Sequence, residues 1–410
     1  MPAANNLHIF TLNFPLGDGE PFLYDELLIL HKKFDKIYLF PMQDHDKASR
    51  YSLPENVEVV KFKMFQPYNR LGVLSADPGF VAGLFFSELF TGANRWRYLL
   101  QFKKTLNELT HKIVMAQKLD AFLQSSDQGM TIAYTYWFNQ WTFILSVLHK
   151  LKPGFKLFTR VHGSDVYEEQ HTEKGFFFKF RNFQLAHITK VFAISANGRQ
   201  HLSMINKGFD DKIIVSRLGV ADHGMGPQED KSFYRIVSCS GFQRYKRVHL
   251  VIDILKNVQE PVEWVHFGDG ELQDEILKYA KQLPANIRFT WMGFKANKEI
   301  IEYYRTCAVD LFINVSETEG IPVSVMEAIS FGIPAMATNV GGVSEIVNAG
   351  TGYLIPKHFD VEEAAKQMGR HFNLPAEQKQ MLQNSARQFW LQNYNAVINY
   401  ESLYRDITHA

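Results

Sequence analysis

Two glutamates late in the chain, Glu319 and Glu327, bracket a short stretch of glycine, proline and apolar residues. An apolar run at 310–315 precedes them and predicts a strand, while Pro322 suits a first helical position and Gly332 a helix stop. One carboxylate then lies in a loop and the other inside a helix. The free N–H groups of such a helix can neutralise a phosphate, and the carboxylates can accept hydrogen bonds from sugar and ribose hydroxyls. A capping glutamate beside a solvated one is the alternative interpretation.

Polar turns after other predicted strands offer related chemistry. Gly17 and Gly19 follow the strand 7–12, and their lack of side chains permits close backbone approach to a phosphate or sugar; a plain surface turn is the alternative. His162 ends another predicted strand, with Asp165 three residues on, so a site role and a structural role are both open. Glu20, beside the first glycine loop, contacts a second substrate or belongs to a solvated first helical turn.

A cluster of cations follows the first strand of the second half of the chain. Arg244, Lys246 and Arg247 come directly after the predicted strand 235–240. Guanidinium and ammonium groups at that position can clamp a diphosphate and stabilise it as a leaving group. A solvated charge cluster is the alternative. The glycine turn that begins at Gly268 opens a further predicted helix and is unspecific by itself.

Strands and helices alternate along the chain, which predicts an α/β fold with parallel sheets covered by helices on both faces. The chain becomes polar and glycine-containing at 222–231, so we place a domain boundary there. Two doubly wound domains are predicted, at 1–220 and 221–385, followed by the helical segment 386–410. A length of 410 residues also favours two hydrophobic cores over one.

Composition excludes several classes of protein. The formal net charge is +1, so no global field attracts nucleic acid. The chain contains 2 cysteines, which suits a reducing compartment and the cytoplasm. Acidic residues interrupt the apolar sequence within 1–30, so we expect no signal peptide there. We also expect no membrane span. The segment 83–123 is helical by pattern and rich in aromatic and basic residues, so it either contacts a membrane surface or packs one face and solvates the other.

A longer pattern joins these features. The run Ser316–Pro322, then Glu327-Ala328, Gly332-Ile333-Pro334, Gly341-Gly342 and Glu345-Ile346-Val347, resembles the signature of the retaining glycosyltransferases of family four. Agreement extends to Gly268, Gly293 and the lysine turn at Lys246, and more loosely to the turns of the first half. The family adopts the GT-B fold, in which two Rossmann-like domains face across a cleft and a last helix crosses back to the first domain. The resemblance implies this role for 386–410.

The resemblance also implies roles for individual residues. Glu327 would hold the ribose hydroxyls of the donor, and Lys246 would bind its diphosphate. Glu319 would contact the donor hexose together with the backbone N–H groups that follow it, those of Gly320, Ile321 and Val323.

Further positions are implied on both sides of the donor. His162 would lie near the transferred sugar, Gly17 or Gly19 would approach the diphosphate, and Gly268 and Gly293 belong to the donor-binding turns. We assign Glu20 and Asp165 to the acceptor. The family often has an arginine five or six residues before its lysine, where this chain has Gly241 and Ser240. Arg244 or Arg247 would then supply that charge.

The expected activity is transfer of a hexose from a UDP- or GDP-sugar to a hydroxyl of a glycan or lipid-linked acceptor, with retention of anomeric configuration. The expected setting is bacterial cell-surface polysaccharide synthesis at the inner face of the membrane. We expect no metal or other cofactor, because no pair of aspartates is spaced to chelate a cation. The alternatives are a sugar nucleotide epimerase or a phosphorylase of the same architecture, and a catalytically silent assembly subunit, which the missing arginine would favour.

Overall fold

The computed structural model describes residues 5–16, 20, 22–43, 48–49, 51–62, 78–91, 95–126, 129–168, 171 and 176–410. Gly17 and Gly19 lie outside these residues. The chain forms two compact units, Met1–Ser216 with Tyr400–Ala410, and Arg217–Asn399. The boundary thus falls at 216, slightly before the predicted 220. Of the predicted last segment 386–410, residues 386–399 belong to the second unit and residues 400–410 to the first.

The first unit is a parallel sheet with helices. Its described strands are β1 Asn6–Thr11, β2 Lys36–Pro41, β3 Val57–Val59, β4 Ile132–Thr135, β5 Lys156–Val161, β6 Lys190–Ala193 and β7 Ile213–Val215. Its described helices are α1 Leu23–Leu30, α2 Pro78–Thr91, α3 Arg95–Leu100, α4 Phe102–Ser125, α5 Gln140–Leu151, α6 Gly163–Val166, α7 Arg181–His187 and α8 Ala196–Ile205. The strands are buried along nearly their whole length, as expected of parallel strands covered on both faces.

The second unit repeats this plan. Its strands are β8 Tyr234–Cys239, β9 Val262–Phe267, β10 Ile287–Gly293, β11 Leu311–Asn314, β12 Ala335–Thr338 and β13 Gly352–Ile355. Its helices are α9 His249–Leu255, α10 Gln273–Ala280, α11 Asn297–Thr306, α12 Val323–Ser330, α13 Val361–Phe372 and α14 Ala376–Asn393. The last helix of the chain, α15 Ala396–Thr408, begins in this unit and ends in the first.

Both sheets have the strand order of a Rossmann fold. The first runs β3-β2-β1-β4-β5-β6-β7 and the second β10-β9-β8-β11-β12-β13, with all neighbours parallel. In each sheet the order reverses beside its first strand, between β1 and β4 and between β8 and β11. Ligands of doubly wound folds bind at this switch point, beyond the carboxyl ends of the strands. The turns after β1, β4, β8 and β11 are therefore the places to look for a site.

Two features are absent from the described residues. None of the described helices combines the length and apolar character needed to cross a bilayer. Nor do the described His, Cys, Asp and Glu side chains gather in groups of three that could hold a metal ion.

Candidate functional site

The switch point of the second sheet carries an ion pair. The turn after β8 presents Lys246, and the turn after β11 presents Glu319, whose Oε1 lies 2.7 Å from the lysine Nζ. Both side chains are largely buried, with 19% and 10% of their surface exposed. Asn314, the last residue of β11, donates a hydrogen bond from Nδ2 to the same carboxylate oxygen, at 3.2 Å. Asn314 is not among the predicted site residues. Asparagine is uncommon in strands, so its position at the end of an apolar strand could have indicated a functional role.

Main-chain donors adjoin this pair. Helix α12 begins at Val323 after Pro322, which has an extended conformation. The N–H groups of Val325 and Met326 donate to the carbonyl of Pro322, at 3.1 and 3.2 Å. Within the described part of the chain, the N–H groups of Gly320, Ile321 and Val323 donate to no acceptor. A set of free N–H groups at a helix amino terminus is a site for a negatively charged group.

The second predicted carboxylate, Glu327, is buried inside α12. Its Oε1 accepts a hydrogen bond of 2.5 Å from Nδ2 of Asn297, the first residue of α11. Burial and the negative charge of Glu327 raise the pKa of the Cys239 thiol, at the end of β8, to about 12, while Lys246 acts in the opposite direction. The thiol therefore stays protonated near neutral pH and is not a nucleophile. The sequence interpretation missed Asn297, whose relevance depends on a contact between distant segments.

The two arginines of the cation cluster have different environments. Arg247 has a left-handed backbone conformation (φ 49°), and its guanidinium donates to the carbonyls of Val315, Ser316 and Lys357 at distances of 2.8 to 3.1 Å. Arg247 thus holds the turn after β11 in place. The Arg244 side chain is exposed. Of the two, Arg244 is the one whose charge is open to a ligand.

Glycines allow the turns at this edge to approach one another. Gly341 has a φ of +53°, and a Cβ there would lie 1.8 Å from the carbonyl oxygen of Glu319. Gly268 has a φ of +131°, and a Cβ there would lie 2.1 Å from the carbonyl oxygen of Ser240. Its N–H donates to the carbonyl of Gly293, at 2.9 Å. Contact between turns therefore explains the glycine at position 268, and a donor contact of Gly268 or Gly293 stays a prediction.

The switch point of the first sheet is organised around Glu20. This residue has a left-handed conformation (φ 59°) and is 5% exposed. Its carboxylate accepts hydrogen bonds from the N–H groups of Leu12, Asn13 and Phe14, at 2.8 to 3.1 Å, and from Trp137 Nε1 at 2.5 Å. The expectation of a solvated glutamate is wrong here, because these donors draw the carboxylate into the turn after β1. Contact with an acceptor stays a prediction.

His162 follows β5 and lies among aromatic rings. Its ring centroid is 4.1 Å from that of Trp137, and its Nδ1 is 3.6 Å from the Asp165 carboxylate. Burial lowers the pKa of His162, although Asp165 acts to raise it, so the imidazole is neutral near pH 7. The Asp165 carboxylate also accepts a hydrogen bond from the His162 main-chain N–H, at 3.1 Å. The structure thus brings His162, Asp165 and Glu20 to one edge of the first sheet.

Part of this chain is similar in sequence to known proteins. Residues 226–389 match the family model described as glycosyl transferases group 1. A candidate colanic acid biosynthesis glycosyltransferase of Escherichia coli, WcaL, is 27% identical over 47% of this chain and 50% of that protein. A candidate teichuronic acid biosynthesis glycosyltransferase of Bacillus subtilis, TuaC, is 24% identical over 45% of this chain and 47% of that protein. The chain thus spans about half the length of these curated relatives.

Solved structures resemble the whole chain. HepE of Anabaena, determined in complex with UDP and glucose, has a TM-score of 0.65 and 15% identity, with 98% of this chain and 100% of that chain covered. Sucrose-phosphate synthase of Thermosynechococcus elongatus has a TM-score of 0.69 and 15% identity, with 99% of each chain covered. At such identities the likeness concerns the fold alone. Together with the two Rossmann-like sheets, it confirms the predicted GT-B fold class.

Proposed function

We propose that the chain is a retaining glycosyltransferase that moves a hexose from a nucleoside diphosphate sugar to a hydroxyl of a glycan or lipid-linked acceptor. The observation that carries this proposal is the Lys246–Glu319 pair beside the free N–H groups at the start of α12. The match to group 1 glycosyl transferases over 226–389 and the names of relatives in surface polysaccharide synthesis support it. HepE, a neighbour in fold, was determined with UDP and glucose, which supports a UDP-sugar as the donor, with a GDP-sugar as the alternative.

In this proposal the second unit stabilises the leaving group. Lys246 and the N–H groups of Ile321 and Val323 neutralise the diphosphate as the bond to the sugar breaks, and Arg244 adds a positive charge. Each such donor is worth on the order of 10² in rate. Glu319, once Lys246 turns to the diphosphate, accepts hydrogen bonds from the hexose. Glu327 accepts hydrogen bonds from the ribose.

The first unit would supply the remaining polar groups. His162 is neutral near pH 7 because burial lowers its pKa, so it can orient the transferred sugar without adding a positive charge at the reacting carbon. A leaving diphosphate oxygen would take the proton of the incoming hydroxyl on the same face, which retains the configuration. This route assigns Glu319 a positioning role, and it needs no metal ion.

Product analysis separates this function from the alternatives. With a UDP- or GDP-sugar and a mixture of glycan and lipid-linked acceptors, the proposal predicts nucleoside diphosphate release that depends on the acceptor, and loss of that release in Glu319→Gln. Formation of an isomerised sugar nucleotide without acceptor, and with no net release of nucleoside diphosphate, would instead indicate an epimerase. Donor binding without release under any acceptor would indicate an assembly subunit.

We further propose that the first unit contacts the inner face of a membrane through 83–123. Trp96, Leu99, Leu100 and Phe102 are exposed, by 68%, 46%, 86% and 49%. Exposed Lys103 lies beside them. Aromatic and aliphatic side chains next to a base favour the interface of an anionic bilayer. This contact would place the enzyme where lipid-linked acceptors are found.

A further inference from the structure

A cavity of about 570 Å³ lies within the first unit, at the carboxyl edge of its sheet. The turns after β1, β2, β4 and β5 contribute to its wall, as do helix α4 and the segment 176–184. The volume is in the range of small-molecule sites. It shares Trp137 and Asp165 with the surroundings of His162 and is otherwise separate from the residues assigned to the donor.

Among the described residues, cationic side chains outnumber carboxylates in the wall of this cavity. Its charged side chains among the described residues are Lys104, Lys112, Lys179, Arg181, Glu108 and Asp165. Lys179 is paired with Glu108, at 2.8 Å. Lys112 is 3% exposed, and its Nζ donates to a neutral partner, Oε1 of Gln140, at 2.7 Å. Burial lowers the pKa of Lys112 to about 8, although the charge of Glu108 acts to raise it, so a further negative charge in the cavity would stabilise its ammonium form.

Arg181, in the cavity wall, has a side-chain nitrogen that donates no hydrogen bond to any described residue. The side chain is 8% exposed, and its guanidinium lies between the rings of Phe138 and Phe178, at 3.7 and 4.2 Å from their centroids. Nη2 donates to the carbonyl of Asp165, at 2.9 Å. Nη1 is buried and makes no hydrogen bond to any residue that the structure describes. A buried guanidinium edge without an acceptor is costly, and an anion in the cavity would remove that cost.

Apolar side chains form a further part of the wall, beside uncharged polar residues such as Asn139 and Gln140. Phe143, Phe176 and Phe177 line the cavity together with Leu12 and Met42. A small hydrophilic anion would gain nothing from these side chains, whereas an apolar chain would bury its own surface against them at about 25 cal/mol per Å². The cavity therefore combines a site for an oxyanion with a site for an apolar group.

We propose that this cavity binds a phosphate or diphosphate ester of an apolar alcohol, and that the acceptor of the sugar is carried on such a molecule. Arg181 and Lys112 bind the phosphate oxygens, and the phenylalanines contact the apolar chain. The assignment of this ligand as the acceptor rests on the proposed function. Binding of the ester itself does not.

Calorimetric titration of the full chain with farnesyl diphosphate, farnesol and inorganic pyrophosphate tests the proposal. We expect farnesyl diphosphate to bind at least about tenfold more tightly than either of the other two, because only it offers both kinds of contact. Arg181→Met and Lys112→Met should each weaken its binding about tenfold or more. Lys118 is on the same helix α4 and outside the cavity wall. The Kd of Lys118→Met for farnesyl diphosphate should therefore lie within about twofold of the parent's, a difference under about 1 kcal/mol.

Three outcomes would overturn the proposal. Equal binding of farnesyl diphosphate and pyrophosphate would mean that the site takes the anion alone, and equal binding of farnesol would mean that it takes the chain alone. Farnesyl diphosphate binding that is lost in Lys246→Met and kept in Arg181→Met would place the ligand in the second unit. Thermal unfolding identifies variants that fail to fold, and Lys112→Met then stands in for Arg181→Met. Parallel titration with UDP and GDP tests the donor site, so failure of this inference leaves the proposed function separately measurable.

Discussion

Replacement of Lys246 by methionine tests the donor site in the second unit. The substitution keeps the length of the side chain and removes the ammonium that lies 2.7 Å from Glu319. A charge-assisted hydrogen bond contributes about 1.5–3 kcal/mol, and about 1.4 kcal/mol corresponds to a tenfold change in Kd. We therefore expect Lys246→Met to raise the Kd of the preferred nucleoside diphosphate about tenfold to a hundredfold.

The carboxylate that remains adds to this effect. Glu319 keeps its hydrogen bond from Asn314, at 3.2 Å, so the fold should persist while an unpaired negative charge faces the diphosphate. The double variant Lys246→Met, Glu319→Gln removes that repulsion and should recover part of the affinity. The matched control is Lys256→Met, whose ammonium lies on the outside of the unit near Asp253 and over the ring of Tyr279.

Calorimetric titration with the nucleoside diphosphate and with the corresponding nucleoside is the assay. The nucleoside lacks the group that Lys246 binds, so its Kd should be the same in parent and variant, and Lys256→Met should match the parent with both ligands. A Kd of the diphosphate within about twofold of the parent, under 1 kcal/mol, would refute the assignment. Equal losses for nucleoside and diphosphate would refute it as well, since they would indicate a general loss of the site.

Further predictions concern binding, stability and membranes. Glu327→Gln should weaken nucleoside diphosphate binding about tenfold and leave binding of the 2′,3′-dideoxy analogue unchanged, because the ribose hydroxyls are its proposed partners; equal losses would contradict this. Arg247→Met should lower the free energy of unfolding by about 2–4 kcal/mol in chemical denaturation, since three carbonyls lose their donor. Burial lowers the pKa of His8 to about 4, so between about pH 6.5 and 4 the unfolded state binds a proton that the folded state does not. The free energy of unfolding should therefore fall by up to about 1.4 kcal/mol for each pH unit of acidification in this range. His8→Phe should remove this part of the pH dependence, and an unchanged pH dependence would contradict the assignment to His8. Trp96→Ser with Leu100→Ser should reduce co-sedimentation with anionic vesicles severalfold, whereas equal sedimentation would exclude these side chains from the contact.

The central strands could be predicted from the sequence because each is a buried apolar run bounded by polar turns. The predicted strands 7–12, 235–240 and 310–315 agree to within one residue at each end with β1, β8 and β11. The missed strands β3, β7 and β13 contain 3, 3 and 4 residues and lie at sheet edges. Such short edge strands pair on one side only and lack a pattern long enough to detect.

The candidate site could be predicted in part. Lys246 and Glu319 lie in turns that follow predicted parallel strands, so the sequence predicts both side chains at the same edge of the sheet. The direct contact between the two side chains depends on β8 and β11 being neighbours in the sheet, which the sequence does not show. Asn297 was missed because it meets Glu327 only when α11 and α12 pack. The Glu20 side chain is buried because its backbone has a left-handed conformation. This conformation is rare for glutamate, and the neighbouring sequence does not predict it.

A crystal structure of the chain with a bound nucleoside diphosphate tests the central claim most directly. We predict that a phosphate oxygen lies about 3 Å from Lys246 Nζ and within hydrogen-bond distance of the N–H groups of Ile321 and Val323, with the ribose against Glu327. A diphosphate bound away from α12, or one that leaves the Lys246–Glu319 ion pair intact and untouched, would contradict the account.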